Sequence, residues 1–173
     1  MSKTLTLGAI KKENAKYKET KRIQLDTKNH LDVNTKFDPD SKALAKAQFI
    51  QLIFDKLIEI TNESYVDGEF DIKLHEEKSE EYLSANILLG IQTALMIKHF
   101  STLTVEAKTY EDYVDLMTQL GKYDYTQDIL NGFEKQEIDK LFEEFSNEID
   151  VANNKILEEV EKEKMKNQTQ VSE

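Results

Sequence analysis

The stretch "KRIQLDTKNHLDVNTKF", residues 21–37, alternates apolar and polar residues on both sides of a short polar turn. Ile23 and Leu25 precede the turn, and Leu31 and Val33 follow it. A two-residue period of this kind predicts a β-hairpin. Because an isolated hairpin is only marginally stable in water, its apolar face must be covered by the chain's own helices or by another chain.

The rest of the chain favours helices. One proline and five glycines in 173 residues leave few helix breakers. We therefore predict a mainly α (α+β) fold, a bundle of about five helices with a small N-terminal β-hairpin. Residues 1–20 are expected to form a basic arm or a marginal helix, residues 21–163 one folded domain, and the polar tail 164–173 a disordered end.

Four of the predicted helices precede residue 133. The first, 39–62, opens with the capping residue Asp38 and with Pro39 in its first turn. A broadly apolar helix over 80–100 should be central to the domain. Thr109 and Asp112 resemble a capping box that opens a third helix, and a short fourth helix ends at Gly132.

The predicted helix 39–62 follows the hairpin almost directly, so it is the natural cover for the hairpin's apolar face. Apolar residues at three- and four-residue steps predict its core-facing side. They are Ala43, Ala47, Ile50, Phe54, Leu57 and Ile58, widened by Leu44 and Phe49.

Residues 70–74 follow an Asp67–Gly68 turn and alternate Phe70, Ile72 and Leu74. So short a run fits either a brief strand pairing with the hairpin or a turn of helix.

A long C-terminal helix, 133–164, carries apolar residues close to a heptad repeat. This C-terminal seam consists of Ile138, Phe142, Phe145, Ile149, Ala152 and Ile156. It fits a core-facing stripe, and it also fits a surface that binds an amphipathic helix of a partner. We take Ile138, Phe142, Phe145, Ile149 and Ile156 as candidate partner-binding residues. The candidate self-association edge is the hairpin, with Ile23, Leu25, Leu31 and Val33.

Charge is unevenly distributed along the chain. The net charge is −11, which disfavours nucleic acid as a partner. Residues 1–42 carry 10 Lys/Arg against 6 Asp/Glu, whereas the remainder carries 13 against 28. A basic arm on an acidic body is expected to contact that body, a neighbouring copy or an acidic partner, or to stay solvated.

The sequence contains no recognisable catalytic motif. Cysteine is absent, and His30, His75 and His99 lack metal-site spacing. His99 is expected to complement the dipole at the end of its helix. We therefore predict a non-enzymatic protein without cofactor or metal. No secretory signal is recognisable, and the apolar run 85–97 is too short and polar to span a bilayer, so a cytoplasmic location is expected.

Two stretches resemble the tail assembly chaperones of long-tailed phages and prophages of Gram-positive bacteria. They are the lysine-rich opening "KTLTLGAIKKENAKYKETKRIQL" and the helix–turn–helix segment "KHFSTLTVEAKTYEDYVDLMTQLGKYDYTQDILNGFEKQEIDKLFEEF". The resemblance implies a non-enzymatic protein of the host cytoplasm that coats the helical tape-measure protein and helps recruit tail-tube subunits. It also implies self-assembly and no nucleic-acid or membrane partner.

Other functions fit the same features. The chain could be another phage structural component, such as a neck, tail-terminator or baseplate protein. It could also be a bacterial helical adaptor or inhibitor that binds one protein through the C-terminal seam. An enzyme that uses carboxylates and His75 is the remaining alternative.

Overall fold

The computed structural model describes residues 6–149 and residue 151. Its elements are α1 (Leu7–Asn14), a 3-10 turn (Ala15–Lys18), β1 (Thr20–Gln24), β2 (His30–Asn34), α2 (Pro39–Glu63), β3 (Tyr65–Val66), β4 (Glu69–Phe70), α3 (Ile72–Leu83), α4 (Ala85–Phe100), α5 (Tyr110–Lys122), α6 (Tyr125–Gly132) and α7 (135–149). The predicted fold class, mainly α with a small β part, is confirmed. The expected tail 164–173 lies outside the described residues.

The predicted hairpin is present. β1 and β2 pair antiparallel, with Ile23 opposite Leu31. Asp26 organises the turn, because its side chain accepts hydrogen bonds from the backbone N–H groups of Lys28 (2.7 Å) and Asn29 (2.8 Å).

The expectation that the helix 39–62 covers the hairpin is wrong. The hairpin packs on α6, where Gly132 lies against Ile23 and Val33. Phe37, which precedes α2, stacks on Phe100 with 3.9 Å between ring centroids. Helix α2 begins after Phe37, and it packs against α3, α4, α5 and α7 rather than against the hairpin.

Helix α2 begins where the sequence predicts, since the Asp38 side chain accepts a hydrogen bond from Ser41 N (2.9 Å). The predicted core-facing side, however, is wrong. The buried residues of α2 are Ala45, Phe49, Leu52, Lys56 and Ile60. Both sides of this helix are apolar, so periodicity alone could not tell which one meets the other helices.

The predicted helix over 80–100 is divided in two. Ser84 has an extended backbone (φ −61°, ψ 153°) that ends α3 and precedes α4. The predicted central position is confirmed for α4, in which all seven residues 91–97 are buried. The run 70–74 is shared between β4, which pairs with β3 rather than with the first hairpin, and the start of α3.

Candidate protein-interaction surfaces

The C-terminal seam lies against the body of the protein in the described residues. Phe145 is fully buried, and its ring meets Phe49 edge-on with 5.0 Å between centroids. Ile138, Phe142 and Ile149 are half-buried against the same core. Ile138, Phe142, Phe145 and Ile149 thus form a core-facing stripe of α7. That they also bind a partner stays a prediction. Ala152 and Ile156 lie outside the described residues.

Ion pairs hold α7 alongside α2. Lys42 Nζ lies 2.6 Å from a Glu144 carboxylate oxygen, and Lys46 Nζ lies 3.1 Å from Glu148. Burial works against the charge of Glu144, yet its hydrogen bond to Lys42 and the nearby Lys46 leave its pKa lowered. The two helices run parallel, because later residues of α2 pair with later residues of α7.

The candidate self-association residues are drawn into the core to different degrees. Leu31 and Val33 are buried, while Ile23 and Leu25 are half-buried against the core. These four side chains therefore anchor the hairpin to the rest of the domain. Any strand addition has to use the backbone of the hairpin instead.

The two edges of the hairpin differ. Asp32 N donates to Thr102 Oγ1 (3.1 Å), and Thr102 N donates to Asp32 O (2.9 Å), so residues following α4 occupy the outer edge of β2. On β1, the alternation of the ladder points the N–H and C=O groups of Thr20, Arg22 and Gln24 outward. Among the described residues, no backbone hydrogen bond from outside the hairpin reaches these groups. This outer edge of β1 is open to another strand.

A second apolar side of α2 faces away from the core. We call it the outer face of α2, defined by Ala43, Leu44, Ala47, Phe54 and Ile58. Leu44 is 62% exposed and Ile58 is 58% exposed, and they mark the two ends of the face. Toward α7 a shallow groove forms where Ala47 approaches Glu148. Most of these residues are the ones that periodicity had assigned to the core.

The β3–β4 turn presents a further exposed patch, which the sequence interpretation missed. The 65–72 patch consists of the apolar residues Tyr65, Val66, Phe70 and Ile72 together with Asp67 and Glu69. All six are exposed, and the Tyr65 and Phe70 rings meet with 5.3 Å between centroids. The Asp67–Gly68 turn, with φ values of 52° and 85°, was expected from the sequence, but the exposure of the apolar residues around it was not.

One lysine joins three helices beneath the surface. Lys56, only 5% exposed, lies 2.7 Å from Glu111 and 3.1 Å from Glu59. Its ammonium group also stands 4.4 Å from the centre of the Tyr82 ring. Burial lowers the pKa of Lys56, but hydrogen bonds to the two carboxylates outweigh burial and leave the pKa raised. Such a buried and fully paired lysine is typical of a residue that stabilises the packing of helices.

A second polar cluster surrounds the end of α4. Lys98 Nζ donates to the carbonyl oxygen of Ala107 (3.2 Å) and to the hydroxyl of Tyr113 (2.5 Å). Burial lowers the pKa of Lys98 and raises the pKa of Tyr113 to about 12. These contacts tie the segment between α4 and α5 onto α4.

His99 lies in the last turn of α4, where it was expected to complement the helix dipole. Its Nε2 lies 3.1 Å from Gln48 Oε1. Burial, together with the neighbouring Lys98, lowers the pKa of His99, which disfavours the positive charge expected there. His30 is exposed and His75 lies beside Phe70. Within residues 6–149 no three His, Asp or Glu side chains form a group suited to a metal ion.

None of the helices in the described part of the chain combines the length and apolar character needed to cross a membrane.

Neither curated proteins nor solved structures yielded a match to the chain. A family model described as YomO matches residues 7–173, nearly the whole sequence. The family name is associated with phages and prophages, which agrees with the expected phage-related protein. It carries no information about tail assembly. The chain belongs to the YomO family.

Proposed function

We propose that this protein is a non-enzymatic phage tail assembly chaperone. It would bind and solubilise the amphipathic helices of a tape-measure protein and help recruit tail-tube subunits. The observation that carries the proposal is the outer face of α2. Within the described residues, this helix side exposes Leu44 and Ile58, and such an apolar surface is suited to a partner.

The dimensions of this face suit a helical partner. Leu44 and Ile58 are 14 positions apart, which corresponds to about 21 Å of helix or four turns. A partner helix with apolar residues at three- and four-residue steps would cover Ala47 and Phe54 between them. Full burial of one such aliphatic or aromatic side chain contributes about 1.5–3 kcal/mol, and several anchors together must offset the cost of association.

Charge and strand edges support the remaining parts of the proposal. Residues 43–173 carry 13 Lys/Arg against 28 Asp/Glu, and this excess of negative charge would keep a complex with an apolar partner in solution. The open outer edge of β1 offers a place for a tail-tube subunit to add a strand. A cytoplasmic site of action in the host cell follows from the proposed role.

The test is co-expression with the long helical protein encoded nearest downstream. We expect that protein to be soluble and to co-purify with the wild-type chain, and to precipitate with Leu44→Glu/Ile58→Glu. Leu89→Glu is the matched control, because Leu89 is also exposed (52%) but lies on α4. Equal solubilisation by the double variant and the wild type would contradict the proposal.

Analysis of finished phage particles distinguishes a chaperone from the main alternative, a structural component of the particle. A chaperone leaves before the particle is complete, so mass spectrometry of purified virions should not find it. Its presence there would favour a neck, tail-terminator or baseplate component instead.

A further inference from the structure

The N-terminal arm, residues 7–18, contacts the hairpin near its base, where Asn34 Nδ2 donates to Tyr17 O (3.2 Å). α1 and the 3-10 turn that follows it contain no buried residue. Leu7 is 67% exposed and Ile10 is 40% exposed. Four lysines lie in the same segment, namely Lys11, Lys12, Lys16 and Lys18. The arm is thus a basic helical segment in which Leu7 and Ile10 stay exposed, whereas Tyr17 at its base is half-buried.

The 65–72 patch has the complementary chemistry. Its four apolar side chains are between 41% and 64% exposed. Asp67, Glu69 and the adjoining Asp71 take part in none of the ion pairs formed within the described residues. Asp71 also caps α3, since its side chain accepts a hydrogen bond from Leu74 N (3.0 Å). An apolar surface rimmed by carboxylates without a lysine partner among the described residues matches a helix that carries leucine, isoleucine and lysine.

The arm is too short to reach the patch of its own chain. Thr35 N donates to Glu19 O (3.0 Å), which anchors the base of the arm near the start of α2, whereas the patch follows the end of α2. The 25 residues of α2 span about 37 Å. The arm extends at most about 20 Å, from 8 α-helical and 4 3-10 residues.

We propose that the arm of one copy docks on the 65–72 patch of a second copy. Leu7 and Ile10 pack against Tyr65 and Phe70, and the lysines face the carboxylates. In the proposed head-to-tail arrangement a single such contact joins two copies, so each dimer retains a free arm and a free patch, and assembly can continue into rings or open chains. This inference is independent of the proposed chaperone function.

Two charge-altering variants test the contact. The arm variant is Lys11→Glu/Lys12→Glu, and the patch variant is Glu69→Lys/Ile72→Lys. None of these four residues is buried, so both variants should keep the circular dichroism spectrum of the wild type. The matched control Lys122→Glu/Lys140→Glu changes the net charge as the arm variant does, at exposed positions elsewhere.

Sedimentation velocity over a range of concentrations gives the readout. We expect the wild type and the control to self-associate, less so as salt is added, and each test variant to associate at least about tenfold more weakly. An equimolar mixture of the two test variants should form dimers but nothing larger, because it contains one intact arm and one intact patch per pair.

Three outcomes would overturn the inference. They are a monomeric wild type, undiminished association of either test variant, and a mixture that remains monomeric.

Discussion

Gly132 of α6 lies directly against Ile23 of the hairpin: a Cβ atom built on Gly132 would stand 1.8 Å from Ile23 Cδ1. The same atom would stand 3.2 Å from a methyl group of Val33. α6 and the hairpin therefore meet at a position where only glycine fits without displacement of the hairpin side chains. This close approach explains how a two-stranded hairpin stays attached to a helical domain.

Gly132→Ala should lower the free energy of unfolding by about 1–3 kcal/mol, because Ile23 and Val33 must shift to admit the methyl group. Urea denaturation followed by circular dichroism measures the change. Gly121→Ala is the matched control, since no atom lies within 4 Å of its added Cβ. That control should be neutral or raise stability by about 0.5–1 kcal/mol. Ile23→Val should recover part of the loss in Gly132→Ala, and equal stability of both alanine variants would contradict this packing.

Lys56→Ala should lower the free energy of unfolding by about 2 kcal/mol, because it removes a buried stem together with its contacts to Tyr82 and Glu111. Lys56→Met should cost less, since methionine keeps an unbranched apolar chain in the same space. Lys46→Met is the control, because the Lys46 side chain is 23% exposed. It should change the free energy of unfolding by at most about 1 kcal/mol. If the alanine and methionine variants at position 56 were equally stable, packing of the stem would not be the reason for its burial.

His99 should make stability depend on pH just below neutrality. Its pKa in the folded protein is lowered by burial and by Lys98, so the unfolded chain takes up the proton first as the pH falls. Stability should therefore decrease as the pH falls below about 6.5 and level off below the folded-state pKa. Denaturant titrations at several pH values, and an NMR titration of the imidazole, measure the effect.

His99→Gln is expected to remove this part of the pH dependence while retaining a hydrogen bond to Gln48. His30→Gln, at an exposed position, should leave it unchanged. A His99 imidazole that titrates at or above about 6.5 in the folded protein would contradict the burial argument.

Asp26 should contribute to acid sensitivity at lower pH. The Tyr125 hydroxyl and the Asn29 amide donate to its carboxylate, as do the backbone N–H groups of Lys28 and Asn29, and together they hold its pKa well below the usual range. Because the folded-state pKa is lowered, the stabilisation is present above the unfolded-state pKa of about 4 and is lost as the pH falls further.

Tyr125→Phe should raise the pKa of Asp26, as measured by NMR titration of the carboxylate, because the largest cause of the lowering is removed. Asp26→Asn should reduce the loss of stability between about pH 4 and pH 2. Asp128→Asn, at an exposed position on the same helix as Tyr125, is the control and should not alter the Asp26 titration. An unchanged Asp26 titration in Tyr125→Phe would exclude the proposed hydrogen bond.

Local features of this fold could be predicted from the sequence alone. The Asp38 cap and the Thr109–Asp112 capping box are present in the structure. The hairpin at residues 20–34 and the end of α6 at Gly132 were also expected. Each depends on hydrogen bonds or steric limits between residues close together in the chain, which is why a sequence pattern is enough to predict it.

The candidate surfaces were harder to predict. The C-terminal seam was recognised as apolar, but its placement against Phe49 depends on a helix about ninety residues earlier in the sequence. The 65–72 patch was recognised as a turn followed by a brief strand or a turn of helix, but its exposure depends on how the other described elements pack around it.

The sequence by itself determined where most helices begin, where the first hairpin turns, and how charge divides between arm and body. Tertiary structure alone decided which side of α2 is buried, that α6 covers the hairpin, and that residues 80–100 divide at Ser84. The physical reason is the range of the interactions. Caps and turns are satisfied within a few residues, whereas an apolar helix side acquires its partner only when distant segments pack together.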